Sequence, residues 1–244
     1  MKKIIIAFLG ISLLGQVLNA QEVDESLTFV YLPDNSVVYT ENLWMSNGDV
    51  IDKSNKKRLY SMYDTRFINA ENGFFANTTK VSKRKVPDLA KRIIKGDLNL
   101  FESQLIYADR VGTQGAILNP KKYYNYFNKG YEEVKRVSYK SLYPLMSKNT
   151  ESLAYLDKYR STQNTGRALY FAGYAAQMGG FYMLFKGMEV KMWNNSAFST
   201  GKHIVLPLGI FLSGFGMQLA NNWFNAKKNE YLQKSFMIYN GIKE

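Results

Sequence analysis

"ALYFAGYAAQMGGFYMLF", residues 168–185, holds no charge in eighteen positions, in a chain of which 21% is charged. As an α-helix rising 1.5 Å per residue it would be about 27 Å long, close to the hydrocarbon thickness of a bilayer. Arg167 and Lys186 bracket it, where long cationic side chains reach the two interfaces. A second uncharged run, "IVLPLGIFLSGFGMQLANNWFNA", covers Ile204 to Ala226. Tyr170, Tyr182, Trp193 and Trp223 fall near the run ends, where aromatic belts belong. The expectation is a two-helix membrane hairpin over residues 162–244. Its second helix continues through "KKNEYLQKSFMIYNG" as an amphipathic extension with Leu232, Phe236 and Tyr239 on one face. Asn240-Gly241 supplies a cap, making one helix of about 37 residues from His203, longer than an ordinary globular helix.

Small residues recur in both runs. Ala168, Ala172, Ala176 and Gly180 follow at steps of four; Gly209, Ser213, Gly216 and Ala220 follow at four, three and four. Such strips let helix backbones approach closely, within the hairpin or between copies, and packing then replaces the hydrophobic drive that lipid does not supply. Glycine inside a helix costs roughly 1 kcal/mol against alanine, so these glycines need a packing reason.

Two observations pull the other way. Gln177, Gln218, Asn221, Asn222 and the tyrosines make both runs only moderately apolar. A soluble exported protein with the hairpin buried against its β domain therefore stands as an alternative. If the N-terminal domain is exported, loop 187–201 faces the cytoplasm. That side, with the helix edges, carries three lysines and Glu189. The exported flanks carry Lys158, Arg160, Arg167, Lys227, Lys228 and Lys234, against the positive-inside bias. Inner-membrane anchoring with the β domain periplasmic is the expectation, and the outer membrane stays open.

Export is read from residues 1–20. Lys2 and Lys3 precede an apolar run from Ile4 to Leu14 and a Leu18-Asn19-Ala20 end, the order of a secretory signal peptide. The chain has no cysteine, which removes disulfides, thiol nucleophiles and Cys-ligated metals together.

Charge is unevenly spread. Residues 21–161 carry 22 Lys plus Arg against 17 Asp plus Glu. Seven of those cations, Lys80, Lys83, Arg84, Lys85, Lys91, Arg92 and Lys95, crowd into 80–95 with Asp88 as the only acid. This segment is the candidate contact for an anionic envelope component or acidic partner, against the plainer reading of a solvated loop. Nucleic acid is not expected, since no recognition motif accompanies the export signal.

The fold class expected is α+β: an antiparallel β-rich domain with short helices over 21–161, then the helical hairpin. "SLTFVYL" and "SVVYTENLWM" are rich in β-branched and aromatic residues, with Pro33-Asp34-Asn35 turning between them. Asn47-Gly48, Asn72-Gly73 and Asn128-Lys129-Gly130 mark further hairpins, because tight turns need positive φ. "VPDLAKRIIKG" reads as a short helix, with Leu89 and Ile93 on one face and Gly96 at its stop. Asn149 is an N-cap for a helix carrying Leu153, Leu156 and Tyr159, and "STQNTG", 161–166, reads as the linker to the hairpin.

No reaction is identified by this sequence. His203 is the single histidine, so a Ser-His-Asp triad would need it. No glycine-rich phosphate loop stands between a strand and a helix, and no cofactor or metal is expected. Glu132-Glu133 is the sort of carboxylate pair an envelope enzyme acting on glycan or lipid would use, yet neighbours in a strand point to opposite faces.

The segments "ENGFFANTT", "AKRIIKGDLNLFE", "YNYFNKGYEEVKRVSYKSLYPLM" and "FMIYNG", the last following the glycine-rich hairpin, give a layout that resembles uncharacterised exported proteins of Bacteroidota. The resemblance implies a cell-envelope protein and carries over no functional residue. The expected role is a membrane-anchored binding or assembly protein, whose partners are membrane lipid, an anionic envelope component or a second copy.

Overall fold

The structure is a computed structural model that describes residues 23–46, 48–54, 56–82, 88–105, 122–193 and 202–242. The signal peptide, Asn47 and Lys83, Arg84 and Lys85 lie outside the described residues. The fold is α+β: antiparallel β-structure followed by long C-terminal helices. The chain divides into two compact units, Met1–Phe74 and Phe75–Glu244.

In the first unit β1 (Phe29–Tyr31) is flanked by β2 (Val37–Tyr39) and β6 (Phe67–Ala70), antiparallel to both. The β1–β2 turn forms as its residues dictate. Asp34 accepts from the Ser36 amide and hydroxyl, and Asn35 takes φ 69°, a conformation asparagine tolerates. Phe29, Phe67 and Phe74 are buried and in ring contact. A second small sheet runs β3 (Leu43–Ser46), β4 (Asp49–Asp52) and β5 (Arg58–Ser61), with Gly48 at φ 84° in its first turn. "SVVYTENLWM" is thus two strands of different sheets, broken at Thr40–Asn42.

The second unit is built on β7 (Gly73–Asn77, which straddles the boundary), β8 (Leu89–Ile94), β9 (Leu98–Leu105), β10 (Lys122–Lys129) and the short β11 (Lys135–Arg136), each antiparallel to the next. Among the described residues four α-helices accompany them: α1 (Thr79–Ser82), α2 (Tyr139–Met146), α3 (Thr150–Trp193) and α4 (Lys202–Tyr239).

Three expectations need correction. "VPDLAKRIIKG" is not a helix, since Leu89–Ile94 is strand β8. Pairing with both β7 and β9 satisfies its backbone, and that outweighs a four-residue apolar spacing that also suits a helix. A bulge at Ile93 turns Ile94 to the face of Lys91 and pairs it with Leu100, where it joins the core. The supposed linker 161–166 is continuous helix inside α3. Glu132 and Glu133, expected in a strand, stand exposed in the turn after β10.

The core of this unit explains why the helices begin and end where they do. Ile94, Leu98, Leu100 and Phe127 from the sheet meet Leu142 and Met146 of α2, Leu156 and Tyr159 of α3, and Leu232 and Phe236 of α4. Asn149 caps α3 by accepting the Ser152 amide at 2.9 Å. At the other end Gly241 takes φ 67°, the Ile242 amide reaches the Met237 carbonyl and the Gly241 amide reaches that of Ile238, a Schellman closure. Asn240 then locks that end to the sheet: its Oδ1 accepts the Leu98 amide at 3.1 Å and its amide donates to the Leu98 carbonyl at 2.9 Å.

Candidate functional site: the helical hairpin

Beyond the core, α3 and α4 run on as an antiparallel pair whose contacts repeat every seven residues. The Ser152 hydroxyl donates to the Ser235 carbonyl at 2.8 Å. Further out Gly166 lies against Asn221, Gly173 against Gly214 and Gly180 against Pro207. Each step forward by seven on α3 is a step back by seven on α4, and the same register sets Tyr159 level with Lys228. Seven residues make nearly two turns, drifting only about 20°, so the contact stays on one face, as in a coiled coil.

Glycine is what lets the backbones meet. A Cβ on Gly173 would stand 2.7 Å from the Gly214 carbonyl oxygen, and one on Gly180 would stand 2.6 Å from the Phe211 nitrogen. A Cβ on Gly166 would reach the Asn221 Oδ1 at 2.9 Å, while one on Gly214 would strike the Gly173 carbonyl oxygen.

Of the expected small-residue strips, Gly180 sits in this contact. Ala176 and Ala220 are half-buried, whereas Ala168, Ala172, Gly209, Ser213 and Gly216 are exposed. Added Cβ atoms at Gly209 and Gly216 would meet nothing within 4 Å. The physical reason is angular: a step of four advances about 40° beyond a full turn, so a four-residue strip winds off the contact face within three steps. Gly166, Gly173 and Gly214 lie outside the four-residue strips, although the seven-residue spacing from Gly166 through Gly173 to Gly180 is a readable signal in the sequence.

The register has a second consequence. It sets Ala168 level with Leu219 and Phe185 level with Lys202, so the charge-free run of α3 lies beside that of α4, which continues seven residues further toward the sheet, to Ala226. The large apolar side chains in this zone point outward. Phe171 is 69% exposed, Leu206 65% and Leu219 63%, and Tyr174, Phe181, Leu212, Phe215 and Trp223 are exposed as well. Among the described residues one helix, α4, is long and apolar enough to cross a membrane by length and composition. The Gln177 and Gln218 side chains face each other: Gln218 Nε2 donates to Gln177 Oε1 at 3.1 Å.

On the sheet side of this zone, cations lie over aromatic rings. Lys158 lies over the Tyr155 ring, Arg160 over Tyr139 and Arg136 over Tyr124. Lys227 is paired with Glu230 at 2.7 Å, which holds the lysine up and the glutamate down. Lys228 is half-buried, and burial, with the Arg167 charge adding to it, pushes its ammonium below the usual lysine range.

Of the basic segment 80–95, Lys80, Lys91, Arg92 and Lys95 are described, and these four do not share one face. Lys80 stands exposed in the first half of the short α1, and Lys95 is exposed after β8. Lys91 is exposed and opposite Glu102, while its neighbour Arg92 points to the other side of the strand, half-buried opposite Phe101. Among the described residues no group of three or more His, Cys, Asp or Glu side chains is placed to hold a metal ion. No protein-family model, curated protein or solved structure matches the chain.

Proposed function

We propose that this is an exported cell-envelope protein held in a membrane by the α3–α4 hairpin, and that it binds or assembles rather than catalyses. The observation that carries the reading is the levelled, charge-free zone with its apolar side chains turned outward. Burying those side chains in hydrocarbon removes a large apolar surface from water, at roughly 25 cal/mol per Å². The zone spans about 27 Å at 1.5 Å per residue, near one hydrocarbon thickness.

The Gln177–Gln218 bond supports it too. Two of the amides in the runs are turned toward each other, and their one hydrogen bond offsets part of their cost in hydrocarbon, while Gln177 Nε2 stays buried without a partner among the described residues. Export rests on the signal-type N-terminus, and placement of the β-structure in the periplasm follows from it.

The test is carbonate extraction of cell membranes, with inner and outer fractions separated on a density gradient. The protein is expected in the washed pellet, and the gradient identifies the membrane. Release into the supernatant sinks the anchor.

A further inference from the structure

The three-stranded sheet β3–β4–β5, in the first unit, covers one face and leaves the other to solvent. Leu43 and Val50 are buried, and Met45 and Tyr60 half-buried, on the covered face, as two-residue alternation requires. The open face is then expected to be polar. It instead presents Trp44, which stands within β3 and is 54% exposed.

Strand register lines up what stands beside the indole. Trp44 is opposite Ile51 on β4, and Ile51 is opposite Arg58 on β5, so the three make one row across the sheet. Two strand spacings give that row a length of about 10 Å. Asp49, two residues before Ile51, shares the face, and its Oδ1 lies 3.0 Å from Arg58 Nε. This contact holds Arg58 on the open side despite the bulge between β4 and β5. Among the described residues it is the one ion pair of that guanidinium, so terminal nitrogens remain to donate and Asp49 Oδ2 remains to accept.

The row therefore offers an aromatic face, a short apolar bridge and a donor–acceptor pair of balanced charge. A sugar ring has matching parts. Its C–H face is apolar and meets the electron-rich face of an indole, while its hydroxyls both donate and accept. Because Asp49 answers Arg58, a phosphate or an acidic polymer gains little from the pair. Nor is Trp44 at a loop tip, where a side chain that dips into lipid has to stand.

We propose that the open face of β3–β4–β5 binds a neutral β-1,4-linked glycan, with one ring on Trp44 and the next hydrogen-bonded by Arg58 and Asp49. A β-1,4-linked chain is an extended ribbon that lies flat along the row, whereas an α-1,4-linked chain coils away from it. Exposed Lys53, Lys56 and Lys57 stand in the adjoining turn, outside the row, which makes an acidic glycan the competitor to exclude. The site belongs to the first unit and the hairpin to the second, so the proposal does not depend on membrane anchoring.

The experiment uses the full chain in a detergent without a sugar headgroup. Cellohexaose, chitohexaose, maltohexaose and a β-1,4-mannuronate hexamer are titrated in turn by isothermal calorimetry. One of the two neutral β-1,4 hexamers is expected to bind about tenfold or more tighter than maltohexaose and the mannuronate. Trp44→Ala should weaken it about tenfold and Arg58→Gln about threefold, while Trp44→Phe keeps part of the affinity. Tyr143→Ala, on the exposed side of α2, should change nothing, and thermal unfolding should show all variants equally folded.

Absence of binding by both neutral β-1,4 hexamers at millimolar concentration overturns the proposal, as does binding that Trp44→Ala leaves unchanged. Equal affinity for maltohexaose overturns the ribbon geometry. Tighter binding of the mannuronate overturns the neutral assignment in favour of the lysine turn and an acidic chain. Each result stands whether or not carbonate releases the protein, so failure of this site and failure of the anchor are told apart.

Discussion

Gly173 and Gly214 face each other backbone to backbone, so that a Cβ on either would run into the other's carbonyl oxygen. Few contacts in the molecule are so intolerant of a single methyl group. Gly173→Val is expected to force the helices apart and cost about 1–3 kcal/mol, as overpacking does. Gly216→Ala, on the open outer face, should leave the pairing intact and gain up to about 1 kcal/mol of helix stability. Thermal unfolding in detergent, followed by circular dichroism, separates the two. A neutral Gly173→Val would show that the contact does not form.

The Gln177–Gln218 pair behaves as a unit. Replacing one by Leu leaves the other amide turned into an apolar contact, at about 1–3 kcal/mol, whereas replacing both with Leu removes the demand altogether. A double-mutant cycle on thermal stability should therefore show both single variants weaker than the double. Simple additivity would mean that the two side chains do not meet.

Asn240 ties residues 142 positions apart in sequence. Asn240→Ala strands the Leu98 amide and carbonyl at the edge of the core and is expected to cost about 1–3 kcal/mol in urea unfolding. Gly96 packs directly on the same side chain, so Gly96→Ala should be destabilising and its effect should shrink in the Asn240→Ala background.

Glu102 lies on the helix-facing side of β9, and burial raises its carboxyl above the usual range. The native state therefore holds this proton where the unfolded chain, with a pKa of about 4.3, has lost it. The stabilisation is complete below that pH and is lost as pH rises through the native value. Glu102→Gln should thus be the more stable form at pH 7, by a margin that narrows on acidification to pH 4. An unchanged gap across that range would show that the carboxyl is solvated.

What was legible in the sequence was mostly local. Asn35, Gly48, Asn149 and the Asn240-Gly241 end act through their own dihedral preferences and nearest backbone groups, so each could be placed without knowing what it packs against. The strand β8 could not: Leu89, Ile93 and the following Gly96 suit a helix, and only pairing with β7 and β9 decides otherwise. The hairpin was half legible. Absence of charge is a property of each helix alone, but the agreement in height depends on the Gly173–Gly214 register, which is a relation between helices. Steps of four pass through Gly180 but bypass Gly166 and Gly173, because they spiral away from a neighbour that steps of seven keep in view.

The 44 residues of α3 pass from core to hairpin without a break, and this makes the helix a ruler. From Leu156, in the core, to Ala168, where charge ceases, is twelve residues, or about 18 Å of stiff rod. For an inserted hairpin, that stand-off exceeds the headgroup layer, roughly 6 Å deep on each side. The sheet of the second unit is thus held clear of the lipid at a set height and azimuth. One added residue in each helix would swing it by about 100°, while one added heptad would lift it by about 10 Å and leave it facing nearly the same way.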